Sequence, residues 1–247
     1  MNPEEYTKLA QIETKHWFYA GKRDIVSWWI ERVHPLKRNH LLVDCGAGMG
    51  KFVQEMQARC QVYAVDNHEE SLSVLKTKLG SDRVLRGTCG EIPIQAASVD
   101  TLTALDVLEH VEDDVAGVRE FARVVRSQGV VVITVPALPA LWSDWDVVLH
   151  HYRRYTRSSL LKIIPTGQFE VLHCAYINVA ALPAVYSMRA FRGVCAKLGI
   201  KLAGRPEDYV PGPLMNGLLQ NLFVKLACQT AVKFPAGVGL LAVLRRR

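Results

Sequence analysis

The sequence has 247 residues, of which 49% are hydrophobic and 22% are charged, with a formal net charge of +6. This composition can form a substantial core, and it excludes a disordered chain, a collagen or a coiled coil as the description of the whole molecule. A positive surplus alone would favour a nucleic-acid partner. However, residues 1–178 carry 20 basic and 22 acidic groups, whereas residues 179–247 carry 10 basic and 2 acidic groups, so the surplus is C-terminal.

The N-terminal residues, the apolar runs and the cysteines bear on the compartment. No secretory signal is visible in the polar first residues. The longest apolar run, 175–188, is interrupted by Asn178 and Pro183 and is shorter than the roughly 18 residues that a spanning helix needs. The six cysteines show no CxxC pair and no ligand spacing with histidine. We therefore expect reduced thiols, no metal site and a cytoplasmic protein.

Two helical patterns precede residue 38. The first leads into an aromatic run and comprises Tyr6, Leu9, Ile12 and Glu13, followed by His16-Trp17-Phe18-Tyr19. The second is an apolar stripe of Ile25, Trp28, Trp29 and Val33. Apolar residues that recur every three to four positions are typical of an amphipathic helix. The patterns predict an N-terminal helical cap over residues 1–38.

Short apolar runs alternate with helical stretches between residues 40 and 135. The runs are Leu41–Cys45, Gln61–Asp66, Val99–Leu105 and 129–135, with 83–85 as a weaker fifth. Two helical faces lie between them, formed by Leu72, Leu75 and Leu79 and by Val115, Val118, Ala122 and Val125, the second after an acidic start at 112–114. This alternation predicts a parallel sheet with helices on both faces.

The chain beyond residue 136 continues this pattern around one long insertion. Thr156 can cap a helix, 168–178 has the composition of a strand, and 236–244 is an apolar run short enough for another. Residues 179–235 are mostly helical in pattern and interrupted by prolines. They carry two apolar stripes, one of Leu182, Val185, Met188 and Phe191/Arg192 and one of Leu214, Leu218, Leu222 and Leu226.

A glycine-rich loop follows the first predicted strand. It reads Asp44-Cys45-Gly46-Ala47-Gly48-Met49-Gly50, and the next predicted strand ends in Asp66, sixteen residues later. Glycines allow a sharp turn and the close approach of a ligand. A carboxylate at the second position can accept both hydroxyls of a ribose, although Asp66 could instead cap the helix that starts near His68. Glycines and acid together indicate a nucleoside-containing ligand.

The spacing of the glycines bears on which nucleoside this is. A dinucleotide fingerprint requires GxGxxG, in which a helix N-terminus receives a pyrophosphate. Here the spacing is GxGxG, and Asp44 stands two residues before the first glycine. A carboxylate there repels phosphate and attracts a cationic or amino-bearing ligand. The loop therefore favours S-adenosylmethionine.

These segments resemble the motifs of the class I S-adenosylmethionine-dependent methyltransferases over roughly residues 40–136. LLVDCGAGMGKF and VYAVD look like the first two motifs, GTCGEIP like the adenine-side turn, SVDTLTALDVLEHVEDD like the fourth strand with its loop, and RSQGVVVITVP like the fifth strand. The resemblance implies a Rossmann-like, doubly wound, mostly parallel sheet of seven strands. It also implies the cofactor contacts, with Asp44, Gly46, Ala47, Gly48 and Gly50 at the methionyl part, Asp66 and Asn67 at the ribose, Thr88 and Cys89 at the adenine, and Leu105 and Asp106 near the methionine.

Two further segments resemble a bacterial subgroup of this family. They are HWFYAGKRDIV and LWSDWDVVLHHYRRYT, and the second contains an HxRRY motif after the fifth strand. The resemblance implies that the N-terminal segment covers the cofactor, with Tyr19 beside it and Lys22 or Arg23 near the methionine carboxylate. The family often has aspartate at Thr88, glycine at His150 and a polar residue at Trp145, so the adenine contact and the acceptor pocket are expected to differ.

The predicted domains are the cap (1–38), a core that binds S-adenosylmethionine (39–178), a basic and apolar helical insertion (179–235), and the last strand with a basic tail (236–247). Basic amphipathic helices bind membrane surfaces or anionic partners. The insertion could equally cover the acceptor pocket or form a homodimer face. Our hypothesis is that it recognises a hydrophobic or lipid-linked, phosphate-bearing acceptor, with a peripheral contact at the inner face of the membrane.

Methyl transfer from a sulfonium is an in-line displacement, which for an OH or NH acceptor also requires removal of a proton. Ligands of such sheets bind beyond the carboxyl ends of the strands. The acid–base candidates there are Glu109, His110, Asp146, His151 and Tyr155, with His151 oriented by Asp146 and Tyr155. The acceptor-binding candidates are Trp142, His150, Arg153 and Arg154, the two arginines being either an anion clamp or a solvated pair.

Other functions remain open at this point. A nucleotide-dependent oxidoreductase is disfavoured by the glycine spacing and by Asp44. A non-enzymic, membrane-associated protein with this fold is disfavoured by the complete set of loop glycines and Asp66. Nucleic-acid methylation lacks an Asn/Asp-Pro-Pro-Tyr-like element for a flipped base, and the core is not basic. The acceptor, and whether O, N or C is methylated, do not follow from the sequence.

Overall fold

The computed structural model describes residues 12–200 and 209–247, so the helical pattern at Tyr6 and Leu9 lies outside the described residues. The strands are β1 (Leu41–Cys45), β2 (Gln61–Asp66), β3 (Val84–Arg86), β4 (Val99–Leu105), β5 (Val125–Pro136), β6 (Phe169–Ile177) and β7 (Gly239–Arg246). They form one sheet in the order β3-β2-β1-β4-β5-β7-β6. Strands β1 to β5 are parallel, and β7 is antiparallel to both β5 and β6. The predicted seven-stranded, mostly parallel sheet is confirmed.

Eight α-helices accompany the sheet in the described part of the chain. They are α1 (Trp17–Val33), α2 (Lys51–Met56), α3 (Glu69–Leu79), α4 (Asp114–Val124), α5 (Asp144–Val148), α6 (Arg157–Ile163), α7 (Leu182–Lys197) and α8 (Pro213–Cys228). Side chains cap several helix starts, because the first N–H groups of a helix have no partner within it. Asp113 accepts from the Ala116 N–H at 2.9 Å and Thr156 from the Ser159 N–H at 3.1 Å. The helix starts predicted near 112–114 and at Thr156 are confirmed.

Helices cover both faces of the sheet. One buried cluster joins α4 and α6 to the sheet and is centred on Phe121, Leu160 and Phe169. The cluster on the other face joins α1, α2, α3 and α8 to the sheet. Ile25 and Ile30 of α1 are fully buried in it. Helix α1 is therefore part of the core on this face of the sheet.

Some element boundaries differ from the prediction. Val125, placed on a helical face by its spacing, instead begins β5, which extends to Pro136. A register shift between Val99 and Thr101 lets β4 pair with this longer strand. Strand β7 spans Gly239–Arg246 and not 236–244, so Arg245 and Arg246 of the predicted tail belong to the strand. Before it, the backbone at Gly237 lies against Ile177, where a side chain would not fit. Apolar spacing alone does not show such close backbone approaches.

The insertion between β6 and β7 contains α7 and α8. Helix α8 packs on α1 through Phe223, which is 3% exposed and whose ring centroid lies 5.8 Å from those of Trp17 and Phe18. The opposite face of α8 is apolar and open, since Leu214 and Leu218 are 81% and 56% exposed. The described residues contain no helix with the length and apolar character needed to cross a bilayer.

Candidate active site

The glycine loop after β1 is shaped by three left-handed backbone positions. Gly46, Gly48 and Gly50 have φ angles of +73°, +54° and +77°, a region that favours glycine. A Cβ at Gly46 would lie 2.5 Å from Val107, and one at Gly50 would lie 2.5 Å from Leu75. A Cβ at Gly48 would meet no protein atom within 4 Å. Two of the glycines are therefore required by packing, while the third borders open space that a ligand can occupy.

Asp66 connects the glycine loop to the next helix. Its carboxylate accepts hydrogen bonds from the Gly48 N–H and the His68 N–H, both at 2.9 Å. The side chain is 6% exposed, and burial raises its pKa although these hydrogen bonds oppose the shift. The N-cap of the next helix is His68, and no side chain caps that helix, so Asp66 does not have the capping role considered from the sequence. Its bond to the His68 N–H instead fixes the turn before the helix. The neighbouring Asn67 is exposed.

Asp44 lies at the end of β1, beneath the glycine loop. Its carboxylate is 2% exposed and accepts a hydrogen bond from the Thr103 hydroxyl on the neighbouring strand β4. Burial raises the pKa of Asp44 to about 7. This carboxyl group can therefore change its protonation state near neutral pH when a cation approaches. Thr103 was not identified from the sequence, because only the β1–β4 pairing places it there.

Asp106 and Lys22 form an ion pair at the carboxyl end of β4, beside the half-buried Leu105. Asp106 has a φ of +56° and also accepts a hydrogen bond from the Thr134 hydroxyl at 2.9 Å. Burial opposes ionisation, but the Lys22 ammonium outweighs it and lowers the pKa of Asp106. The Lys22 ammonium lies 4.4 Å and 5.8 Å from the ring centroids of Phe18 and Tyr19.

Arg23 occupies a different place from Lys22. Its guanidinium pairs with Glu55 on α2 at 3.1 Å and donates to the Glu13 carbonyl at 2.8 Å. The sequence left open which of the two cations is near the cofactor. Lys22 pairs with Asp106, which is expected in the cofactor pocket, whereas Arg23 connects α1 to α2.

The turn after β3 carries the residues expected beside the adenine. Thr88 and Glu91 exchange two backbone hydrogen bonds of 3.1 Å, and the Thr88 side chain is exposed. The Cys89 thiol is 2% exposed and packs against Gly117 of α4, where burial raises its pKa to about 12. Its side chain is therefore committed to packing, and the thiol is un-ionised at neutral pH.

The loop after β5 forms a buried hydrogen-bonded group around Asp146. The carboxylate is fully buried and lies 2.9 Å from His151 Nδ1 and 2.7 Å from Arg154 Nε. It also accepts from the Ser143 N–H at 2.9 Å and lies 3.8 Å from the Arg189 guanidinium of α7. Burial disfavours the charge, but these donors outweigh it and lower the pKa of Asp146 to about 2.

His110 and Glu109 adjoin His151. The His110 and His151 rings meet edge to face with centroids 4.6 Å apart, and burial lowers the pKa of His110 to about 4. Glu109 is 1% exposed, its Oε2 has no hydrogen-bond partner among the described residues, and burial raises its pKa well above the usual range. One ligand atom from each of the three lies within 4.8 Å of the others, so they could also hold a metal ion.

Other predicted residues are not brought together. The Tyr155 hydroxyl lies 2.7 Å from the Asp114 carboxylate and not against His151, so Asp146 alone of the two expected partners orients that imidazole. Arg153 pairs with Asp114 at 3.0 Å, whereas Arg154 is buried on Asp146. The two arginines therefore face different carboxylates and do not form the adjacent clamp that their sequence positions suggested.

The two remaining acceptor-binding candidates lie on the surface of the same loop. Trp142 is 42% exposed. His150 is exposed and has a φ of +56°, a conformation that costs a residue with a Cβ roughly 1–2 kcal/mol and suits glycine.

An apolar groove of about 340 Å³ opens next to this group. It is lined by Leu138, Pro139, Ala140 and Leu141 after β5 and by Leu182, Pro183 and Tyr186 at the start of α7. Arg189 lies between the groove and Asp146, since its guanidinium also donates to the Leu141 carbonyl. Neither the groove nor the role of Arg189 was identified from the sequence, because both require the insertion to fold back onto the loop after β5.

Comparison with known proteins gives the class of this fold and site. The methyltransferase-domain family model matches residues 43–133, which contain the glycine loop, Asp66 and β4. A probable S-adenosylmethionine-dependent methyltransferase of Mycobacterium tuberculosis is 31% identical over 195 residues, covering 74% of this chain and 71% of that protein. A ubiquinone biosynthesis O-methyltransferase of Idiomarina loihiensis is 30% identical over 146 residues, covering 52% of this chain and 58% of that protein.

Solved structures show the same fold. The methyltransferase bound to the Haloferax volcanii Trm112 activator superposes with a TM-score of 0.62 at 15% identity, covering 98% of this chain and 94% of that one. Geranyl diphosphate C-methyltransferase from Streptomyces coelicolor gives 0.57 at 12% identity, covering 88% and 76%. The chain belongs to the class I S-adenosylmethionine-dependent methyltransferases. It is an enzyme whose cofactor is S-adenosylmethionine, and its by-product is S-adenosylhomocysteine.

The described residues fit this cofactor. Open space borders Gly48, and the Asp44 carboxyl group at the end of β1 would stabilise a cationic ligand when ionised. The Asp106 carboxylate at the end of β4 is already paired with Lys22. A dinucleotide-dependent oxidoreductase receives no support from the relatives, nor does a non-enzymic protein.

Proposed function

We propose that the enzyme methylates a small or lipid-linked, anionic acceptor by in-line displacement, with His151 as the general base. The observation that carries the proposal is the 2.9 Å hydrogen bond between His151 and Asp146 beside the apolar groove. S-adenosylmethionine supplies an electrophilic methyl group on a sulfonium. The protein must then hold the acceptor in line with that methyl group and receive one proton.

The Asp146–His151 pair has the arrangement that this proton transfer requires. A hydrogen bond from Nδ1–H to Asp146 leaves Nε2 as the basic nitrogen, which takes the proton of an acceptor OH or NH. The acceptor oxygen or nitrogen bonds to the methyl carbon as the bond from that carbon to the sulfonium sulfur breaks, and the electron pair stays on the sulfur of S-adenosylhomocysteine. The ionised Asp146 stabilises the imidazolium that results. His110 is uncharged at neutral pH because of its burial, so it does not repel this imidazolium.

The apolar groove supports a hydrophobic acceptor. Its lining residues carry apolar side chains apart from the Tyr186 hydroxyl. Arg189 donates to the carbonyl of the lining residue Leu141 and lies 3.8 Å from Asp146, so we expect a chain in the groove to bring its polar head toward His151. An O-methyltransferase of ubiquinone biosynthesis is among the relatives, which supports an oxygen acceptor on a lipid. The 10 basic and 2 acidic groups of residues 179–247 favour an anionic head or surface.

Chain-length dependence tests the acceptor class. The enzyme is incubated with deuterated-methyl S-adenosylmethionine and with phenolic carboxylates that carry a methyl, a geranyl or a farnesyl tail, and a gain of three deuterium atoms is measured by mass spectrometry. We expect KM to fall with tail length, and to rise in Tyr186→Asp for the tailed compounds only. Equal kcat/KM values for all tails would refute the lipid-linked acceptor.

The open face of α8 supports a contact with membranes. Replacing Leu214, Leu218 and Leu222 by serine removes an apolar surface whose members are 45% to 81% exposed. Co-sedimentation with anionic phospholipid vesicles should decrease in this variant and remain unchanged in Val171→Ser, an exposed control on β6. No sedimentation of the wild type would exclude the membrane contact, and a dimer that dissociates in the triple variant would assign this face to a second copy.

The cluster of Glu109, His110 and His151 supports a second candidate mechanism, in which a divalent cation there activates the acceptor oxygen. The two mechanisms differ in their response to chelators. With His151 as the base, activity persists after dialysis against EDTA. Loss of activity that Mg²⁺ or Zn²⁺ restores, in the wild type and equally in His40→Gln outside this cluster, would favour a cation at Glu109, His110 and His151.

A further inference from the structure

Three polar side chains meet at the opposite edge of the sheet, where its parallel strands begin. His34 follows the last residue of α1, His40 directly precedes β1, and Asp100 is the second residue of β4. One ligand atom of each lies within 4.8 Å of the other two. The two imidazole ring centroids are 5.1 Å apart. The three side chains are therefore close enough to bind a single ion.

Each of the two imidazoles has a buried ring nitrogen that takes part in no hydrogen bond within the described residues. These atoms are His34 Nε2 and His40 Nδ1, and His40 and the neighbouring Asp100 are only 8% and 4% exposed. A buried polar group without a partner costs about 1–3 kcal/mol. A cation bound between the three side chains would remove that cost at both imidazoles.

The backbone holds the cluster in place. The His34 N–H donates to the Ile30 carbonyl at 2.8 Å, and the His40 N–H donates to the Lys37 carbonyl at 2.9 Å. The Leu41 N–H donates to Asp100 Oδ2 at 2.7 Å, whereas Asp100 Oδ1 pairs with the guanidinium of the exposed Arg126 side chain.

We propose that His34, His40 and Asp100 bind a divalent transition-metal ion such as Zn²⁺. Two imidazole nitrogens and one carboxylate oxygen are donors that zinc prefers. The ion connects the end of α1 to the first residues of β1 and β4, and so fixes α1 on the sheet. This differs from the expectation of no metal site, because ligands from three separate elements have no motif spacing in the sequence.

Arg126 is the charge that opposes this ion. Its guanidinium forms an ion pair with Asp100 Oδ1, but the Arg126 side chain is 46% exposed and can turn into solvent. Removing it should therefore tighten metal binding. A role of the cluster that involved no metal would not predict that result.

The test is calorimetric titration of the metal-free protein with Zn²⁺, repeated with Co²⁺ to follow its visible absorption. Changing a residue that only orients a metal ligand lowers metal affinity by roughly 10–100-fold. His40 and Asp100 are proposed as ligands themselves, so we expect His40→Gln and Asp100→Asn each to weaken Zn²⁺ binding at this site by about 100-fold or more. Arg126→Gln should strengthen it. His173→Gln, which removes a different half-buried imidazole, is the matched control and should leave it unchanged.

The cluster beside the active site requires a separate control. A Zn²⁺ site that persists in His151→Gln but is lost in His40→Gln is the one proposed. The proposal is overturned if the wild type binds no Zn²⁺, or if binding survives both His40→Gln and Asp100→Asn. Should His40→Gln fail to fold, Arg126→Gln decides, since unchanged or weaker affinity in that variant contradicts the proposal.

Discussion

Asp146 Oδ1 accepts hydrogen bonds from two side chains of the same loop, His151 Nδ1 at 2.9 Å and Arg154 Nε at 2.7 Å. The carboxylate is fully buried, so the two donors determine its charge and its position together. Arg154 neutralises it, and His151 is held in one orientation by it. The geometry separates a structural role, borne by Arg154, from a catalytic role proposed for His151.

His151→Gln should lower kcat by about 10²–10⁴, the usual contribution of a general base. The dissociation constant of S-adenosylmethionine should remain within about twofold, since the residue is proposed to contact the acceptor. Single-turnover rates and calorimetric binding measure the two quantities. His173→Gln, which removes a half-buried imidazole on β6, is the control and should retain full activity. An unchanged single-turnover rate in His151→Gln would assign the proton to another group.

Binding of S-adenosylmethionine should weaken below pH 7. The buried Asp44 has a pKa of about 7, so the carboxylate proposed to face the cationic cofactor becomes protonated as the pH falls. If only the ionised form binds well, the dissociation constant rises by about tenfold for each pH unit below 7. Titrations between pH 5.5 and 8.5 measure this slope. Asp44→Asn should bind weakly at every pH, and a wild-type affinity independent of pH would contradict the proposed contact.

The same shift has a consequence for stability. The folded state raises the pKa of Asp44 above its ordinary value, so the free protein loses stability as the pH rises from about 4 to 7 and this residue ionises in its buried position. Asp44→Asn removes that contribution. Between pH 4 and 7, the unfolding free energy of the wild type should therefore fall relative to that of Asp44→Asn. Urea denaturation at several pH values measures this difference.

Gly48→Ala should fold normally and bind the cofactor poorly. The new Cβ meets no protein atom within 4 Å, so the cost to stability is limited to the left-handed backbone, about 1–2 kcal/mol. Gly46→Ala adds a contact at 2.5 Å from Val107 to a similar backbone cost and should destabilise the protein more. Thermal denaturation with and without S-adenosylhomocysteine separates the two effects. Full cofactor affinity in Gly48→Ala would place the ligand elsewhere.

Lys22→Met should destabilise the protein in a pH-dependent manner. Lys22 lowers the pKa of Asp106, so the stabilisation is present above the ordinary carboxyl range and is lost as the pH falls through the pKa of Asp106. The loss at pH 7 should be about 1–2 kcal/mol, at the low end for a charged hydrogen bond because the Asp106 side chain is 35% exposed.

Two variants serve as controls for Lys22→Met. Asp106→Asn in the same chain should recover part of the stability, because no unpaired carboxylate then remains. Lys51→Met removes a more exposed ion pair with Glu55 and should change stability by no more than about 0.5 kcal/mol. Equal losses in Lys22→Met and Lys51→Met would show that the Asp106 pair contributes little.

The sequence predicted those features that depend on local patterns. Runs such as Leu41–Cys45 and Gln61–Asp66 coincide with β1 and β2 because a buried parallel strand is a short continuous apolar segment between turn residues. Asp146 as the orienter of His151 was also predicted, because both belong to one short loop. The loop places the expected side chains within reach of each other without help from distant elements.

Contacts between distant segments could not be predicted in this way. Thr103 reaches Asp44 through the pairing of β1 with β4, and Arg189 reaches Asp146 only because α7 folds back over the loop after β5. Tyr155 was placed with His151 from sequence proximity, yet its backbone direction turns the hydroxyl toward Asp114. The prediction failed where the direction of a side chain, and not its distance along the chain, decides its partner.

The contact between α8 and α1 joins the insertion to the cofactor side of the molecule. Phe223 lies directly over Gly21, where any larger residue would meet its ring, and the next residue is Lys22, which is paired with Asp106. A force on α8 from an acceptor or a lipid surface would therefore be transmitted through one aromatic ring to the lysine beside the cofactor pocket. Because Gly21 has no side chain, the Phe223 ring rests directly on the backbone of α1, and a displacement of α8 would displace α1 and Lys22 with it.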